Sequence, residues 1–120
     1  MTARSRRALS WLLVVAWACV IFYASSRPGS TIPGGWSVQG HLGEYSVFGA
    51  LLANGLSDGR PTLRLALFAI VIASLYGVTD EFHQHFTPGR VPDAADWALD
   101  TIGATAGAFT LIVWKRWRER

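Results

Sequence analysis

Residues 8–24 (ALSWLLVVAWACVIFYA) contain no charged side chain, and that run confines the chain to folds that give a long apolar helix lipid or a deep core to sit in. A helix of this length approaches the roughly 17 to 25 residues that cross a bilayer. Three more segments of similar length follow, at 38–56, 62–82 and 93–114. With 51% hydrophobic and only 16% charged residues over 120 positions, the chain has too little polar surface to coat four such helices in water. The runs are too long for strands and do not alternate in polarity as barrel strands do. The sequence therefore predicts an all-α integral membrane bundle of four transmembrane helices, built as a single domain over 1–120.

The connections carry their own signals. Residues 25–36 (SSRPGSTIPGGW), 57–61 (SDGRP) and 86–92 (FTPGRVP) are rich in Ser, Pro and Gly and read as loops, with Pro61 near the start of the third helix. Arg4, Arg6 and Arg7 precede the first run as they do in a signal peptide. The run is long and bulky, however, and ends in Phe22 and Tyr23 rather than at a small-x-small cleavage site, so a retained helix is expected. The single cysteine, Cys19, has no intrachain partner and is expected to be a small buried hydrophobe.

Charge bias orients the bundle. Nine of the eleven basic residues (Arg4, Arg6, Arg7, Arg60, Arg64, Lys115, Arg116, Arg118 and Arg120) fall at the two termini and the middle connection, which an even number of helices puts on one side. Cytoplasmic flanks collect Lys and Arg, so both termini are expected in the cytoplasm, with only Arg27 and Arg90 opposite. Helix parity and charge bias agree for four helices, whereas three or five would split the two basic ends. A net charge of +3 confined to chain ends and a short loop, without interleaved exposed aromatics, excludes a nucleic-acid surface.

Six of the eight acids (Glu44, Asp80, Glu81, Asp93, Asp96 and Asp100) and all three histidines (His41, His83 and His85) then lie near the outer ends of helices two, three and four. An ionisable group at membrane depth costs on the order of 3 kcal/mol, so such groups normally face a bundle interior or a wet cavity. His41, Glu44, Tyr45 and Phe48 share one face of helix two; Asp96, Asp100, Gly103 and Gly107 form a stripe on helix four. Gly103 and Gly107 allow close helix approach, so that stripe is expected to pack inward and carry both aspartates with it. Asp93 suits the helix dipole as a first-turn acid, and His83 and His85 read as surface or loop residues. Arg90, after Gly89 and between two prolines, is placed to grip a carboxylate or a phosphate. Simple interhelical pairing of the acids with Arg90, Arg27 and the histidines remains open as an alternative to a binding site.

The segment TDEFHQHFTPGRVPDAADWALDTIGATAGA at 79–108 resembles the VanZ-like family of bacterial membrane proteins. GHLGEYSVFGALLANGL at 40–56 is similar to that family's His-x-x-x-Tyr segment, and SSRPG at 25–29 to the turn after its first helix. The family pattern of Asp-Glu-x-x-Gln, Pro-Gly-Arg and Asp-x-x-x-(Asn or Asp)-x-x-Gly-x-x-x-Gly falls on Asp80, Glu81, Gln84, Pro88, Gly89, Arg90, Asp96, Asp100, Gly103 and Gly107. Asn is common in the pattern where this chain has Asp100. The resemblance implies a multi-pass protein of the bacterial cytoplasmic membrane with an envelope-facing role. The founding member's association with teicoplanin resistance does not by itself extend to every relative.

Residues and resemblance together give a candidate cluster of His41, Glu44, Tyr45, Asp80, Glu81, Gln84, Arg90, Asp96 and Asp100. Its first reading is a site for an envelope lipid or a glycopeptide-type ligand. A second is a metal-dependent membrane enzyme acting on a lipid-linked phosphate, with His41, Glu44, Asp80, Glu81 and Asp96 as candidate ligands of a divalent cation. A third is a structural helper or small transporter. No nucleophile motif or phosphate-binding glycine loop is present; the sequence requires no cofactor and assigns neither reaction nor oligomeric state.

Overall fold

The computed structural model describes residues 1–29, 37–57, 60 and 62–120. Four helices form, α1 Ala3–Ser26, α2 Ser37–Ser57, α3 Leu63–Gln84 and α4 Ala94–Arg118, with no strand among the described residues. α1, α3 and α4 are long and apolar enough to cross a membrane. α2 has the length, but its polar residues, His41 and Glu44 among them, dilute its apolar character.

Every helix runs past the C-terminal end of the apolar segment that announces it, while α3 and α4 start one residue later than expected, after the caps Thr62 and Asp93. Lipid-compatible residues mark only the part of a helix that suits hydrocarbon, while backbone hydrogen bonding continues into polar flanks. α1 therefore starts at Ala3, where the Thr2 hydroxyl accepts the Ser5 amide at 3.0 Å. It runs through Ser25 and Ser26, expected in the loop, and the Ser26 hydroxyl bonds back to the Phe22 carbonyl at 2.8 Å. α4 extends to Arg118 because Lys and Arg are good helix formers and suit a helix C-terminus. Asp93 is the cap of α4 rather than its first residue, its carboxylate accepting the Ala95 amide at 2.9 Å. Of the connections expected at 25–36 and 57–61, residues 30–36, 58, 59 and 61 lie outside the described residues.

The polarity of the molecule is inverted relative to a soluble bundle. Leu12 is 62% exposed and Leu75 63%, whereas Asp100 is fully buried and Asp80, Gln84 and His41 nearly so. An apolar exterior around an interior that also holds charged groups is stable in lipid, where outward Leu and Val side chains need no cover. Cys19 corrects an expectation for the same reason. It is exposed, because α1 turns Val14, Ile21 and Ser25 inward and Cys19 falls on the face that lipid would solvate.

The interior is built from small residues. α3 presents Ala66, Ala69, Ala73, Gly77, Asp80 and Gln84 as one stripe, and α4 presents Asp100, Gly103, Ala104, Gly107, Ala108 and Ile112. The closest approach is between α2 and α4. A Cβ on Gly107 would overlap the Ser46 carbonyl oxygen, and one on Gly49 the Ala104 carbonyl; on Gly103 it would stand 2.7 Å from the Leu42 carbonyl. α1 lies against α2 and α3, where the Trp17 indole donates to the Glu44 carbonyl at 2.8 Å and the Tyr76 hydroxyl to the Ala18 carbonyl at 2.6 Å.

This packing predicts opposite outcomes for two Gly→Ala changes. Gly107→Ala must push α2 from α4 and should cost about 1–3 kcal/mol of detergent-solubilised stability, as overpacking does. Gly43→Ala places its methyl where nothing lies within 4 Å and should be neutral or gain up to about 1 kcal/mol from helix propensity. Thermal unfolding of both variants, followed by circular dichroism, decides the matter; equal effects would mean that α2 and α4 are not in backbone contact.

Candidate functional site

The close approach of α2 and α4 sets His41 opposite Asp100. Leu42 packs on Gly103, so the residue before Leu42 and the residue one turn before Gly103 are brought face to face. His41 Nδ1 lies 2.6 Å from Asp100 Oδ1, and His41 Nε2 lies 3.7 Å from Asp96 Oδ2. Hydrogen bonds of this length to a carboxylate belong to the strong, charge-assisted class. α3 adds the third wall. The Tyr45 hydroxyl donates to Asp80 Oδ2 at 3.2 Å, and the Asp93 amide donates to Glu81 Oε2 at 3.1 Å.

Arg90 reaches the cluster from a turn that the sequence dictates. The Arg90 amide donates to the Thr87 carbonyl at 3.2 Å, and Gly89 between them has φ 73°. That is the Pro-Gly order of a type II turn, in which only the third position needs a positive φ. The turn is fastened to the end of α1: the Thr87 hydroxyl donates to the Ser25 carbonyl at 3.0 Å, and the Gly29 amide to the Pro88 carbonyl at 2.9 Å. A side chain on Gly29 would collide with the Gly89 carbonyl, so SSRPG and TPGR fit together glycine to glycine. From this turn Arg90 lies within electrostatic reach of Glu44 and Asp80.

The structure thus brings together His41, Tyr45, Asp80, Glu81, Asp96 and Asp100, with Arg90 beside Glu44 and Asp80. Gln84 is buried one turn beyond Asp80, and Glu44 is half-buried. Gly103 and Gly107 serve the α2–α4 contact. His83 and His85 stand apart: His83 stacks on Phe22 with ring centres 4.3 Å apart, and His85 is exposed. Arg27 is also outside, its guanidinium donating to the Tyr23 hydroxyl at 3.3 Å.

Sequence reasoning missed Ser25, Thr87 and Trp17. Ser25 lies in the last turn of α1 and Thr87 in the turn after α3, both within the segments that resemble the family, and their hydroxyls were the available signal. Trp17 carries no signal, because nothing in an apolar run tells a tryptophan that donates to a neighbouring helix from one that faces lipid.

Four buried polar atoms in or beside this region have no hydrogen-bond partner: Glu81 Oε1, Asp100 Oδ2, Arg90 Nη1 and His83 Nδ1. Natively buried polar groups are nearly always satisfied, and a carboxylate oxygen left alone carries a desolvation cost of about 1–3 kcal/mol or more. Three of these atoms, two anionic and one cationic, belong to the cluster.

A family model described as VanZ/LLP1 matches residues 10–115. The chain belongs to the VanZ/LLP1 family. Comparison with curated proteins and with solved structures gives no match. The match covers all four VanZ/LLP1 helices in whole or in large part, and with them every residue of the cluster.

Two substitutions separate the roles within the cluster. His41→Ala leaves Asp100 fully buried with no counter-group and should destabilise the protein by about 3–5 kcal/mol, the usual effect of breaking a buried pair. Tyr45→Phe removes one donor from Asp80 and should cost about 1–2 kcal/mol. Denaturant titration in detergent measures both, and a loss at His41 no larger than that at Tyr45 would show the His41–Asp100 bond to be unimportant for folding.

Proposed function

We propose that this VanZ/LLP1 protein crosses the bacterial cytoplasmic membrane four times, with both termini in the cytoplasm, and that its cluster binds the polar headgroup of an envelope lipid or a glycopeptide-type ligand at the outer leaflet. The orientation rests on charge. The helix ends away from the cluster carry the nine clustered basic residues, and at that end Lys115 donates to the Ser57 hydroxyl at 3.1 Å and Asn54 to the Ser10 hydroxyl at 3.2 Å. The cluster end carries only Arg27 and Arg90.

One observation carries the binding reading: the Arg90 backbone is held by a braced turn beside the cluster, and its guanidinium Nη1 is buried and unpartnered. A guanidinium with an idle donor suits a phosphate or carboxylate, which it can grip in a plane. Exposed Phe82, Phe86 and Val91 flank the same turn, so an incoming ligand would keep apolar contact with the protein while its head reaches Arg90. Exposed apolar side chains beside a polar cluster suit an amphiphile. The association of the family's founding member with teicoplanin resistance fits a ligand of the envelope and motivates the choice among amphiphiles.

Topology is checked by cysteine labelling in a Cys19→Ser background. Single cysteines at Arg27 or Phe86 should react with an impermeant reagent in intact cells, and one at Arg120 only after lysis; the reverse pattern overturns the orientation. Binding is checked by native mass spectrometry with phosphatidylglycerol. Wild type should retain lipid, Arg90→Lys should retain about tenfold less because an ammonium lacks the planar fork, and Arg90→Ala should retain least. Equal retention by all three would remove Arg90 from the site.

A further inference from the structure

We propose that His41, Glu81 and Asp100 form a site for one divalent cation of the Zn2+ or Mn2+ class, set in the same side-chain cluster as the headgroup site. Each residue comes from a different helix and offers one ligand atom, and the three atoms lie within 4.8 Å of one another. Metal bonds of about 2.0–2.2 Å put neighbouring ligand atoms about 3–3.5 Å apart, so side-chain adjustments of about 1 Å close the set. This triplet differs from the ligands expected from sequence. Asp100 replaces Glu44, Asp80 and Asp96, because the α2–α4 contact places it against His41 while Tyr45 holds Asp80.

Proximity of acids alone is common without any ion. The independent observation is Asp100, which is fully buried between α2 and α3 and leaves Oδ2 without a partner. A fully buried carboxylate with one idle oxygen calls for a cation. Glu81 repeats the pattern, with Oε2 fixed by the Asp93 amide and Oε1 buried and idle. Fixing one oxygen and freeing the other is how outer partners orient a metal ligand. Charge points the same way: Glu44, Asp80 and Asp96 add three carboxylates beside those of the triplet, against Arg90 and His41 as the basic groups of the cluster, so a divalent cation would offset the excess of acids.

The donor set selects the metal. One imidazole with two carboxylates is softer than the all-oxygen cages of Mg2+ or Ca2+ and suits Zn2+ or Mn2+. Three protein ligands leave a coordination position open, which is the arrangement of sites that also take a small ligand. The proposal rests on the same cluster as the headgroup reading and gives that reading what it lacks, a way for an anion to approach through a ring of carboxylates.

The test is isothermal titration of chelator-treated, full-length protein in detergent with Zn2+, and electron paramagnetic resonance with Mn2+, no lipid being added. Wild type should bind one ion per chain. His41→Gln and Glu81→Gln should each weaken binding at least about tenfold, while His85→Gln, which removes an exposed histidine outside the cluster, should not. Should His41→Gln fail to insert, Glu81→Gln decides alone. Absence of stoichiometric binding, or Glu81→Gln binding as wild type does, overturns the site. Arg90→Ala separates the two readings: it should keep the metal and lose the lipid. Metal binding with unaltered lipid retention in that variant refutes the headgroup reading and leaves the cation site standing.

Discussion

The site depends on how closely α2 and α4 approach. Gly103 and Gly107 on α4 and Gly49 on α2 let two backbones touch, and only at that distance can a short aspartate on one helix meet an imidazole on the other at 2.6 Å. In lipid there is little hydrophobic gain from bringing two apolar helices together, so van der Waals contact between backbones and interhelical hydrogen bonds carry association. Here the two act in series along one interface, glycine contact in the middle and the His41–Asp100 bond one turn beyond. Each reinforces the other, since the bond fixes the rotation that the glycines permit.

The other elements brace that pair. α1 does not share in the glycine interface; it anchors α2 and α3 through two aromatic donors, Trp17 and Tyr76, that bond to backbone carbonyls in neighbouring helices. The loop after α3 is locked to the end of α1 by main-chain and hydroxyl bonds, so Arg90 is delivered by a braced turn instead of a free one. A rigid frame matters because charged groups here are few, close and shielded from water. A displacement of an ångström would either separate partners or press like charges together.

Much of this was legible in the sequence. Long uncharged runs announced four helices, Pro and Gly announced the turns, and the separation of nearly all basic residues from nearly all acids announced two chemically distinct ends. Helical spacing placed Asp96, Asp100, Gly103 and Gly107 on one stripe, and the family's motif residues fell where the cluster stands. The helix ends were less legible, because hydropathy reports what lipid tolerates and not where backbone hydrogen bonding stops. Cys19 misled for a related reason: in an apolar run every residue looks fit for a core, and in a membrane bundle the outside is equally apolar.

The sequence by itself determined the number and class of the helices, the Pro-Gly turn that carries Arg90, and which face of each polar helix bears charge. These are local properties, fixed by a residue's neighbours within a turn or two. Tertiary structure alone decided that Asp100 pairs with His41, that Tyr45 holds Asp80, that Trp17 reaches the Glu44 carbonyl, and that single oxygens of Glu81 and Asp100 are left buried without partners. Those facts depend on the separation and relative rotation of helices far apart in the chain, which are set by backbone contact at a few glycines. No single segment contains that information, because each glycine states only that something can come close, and its partner determines what does.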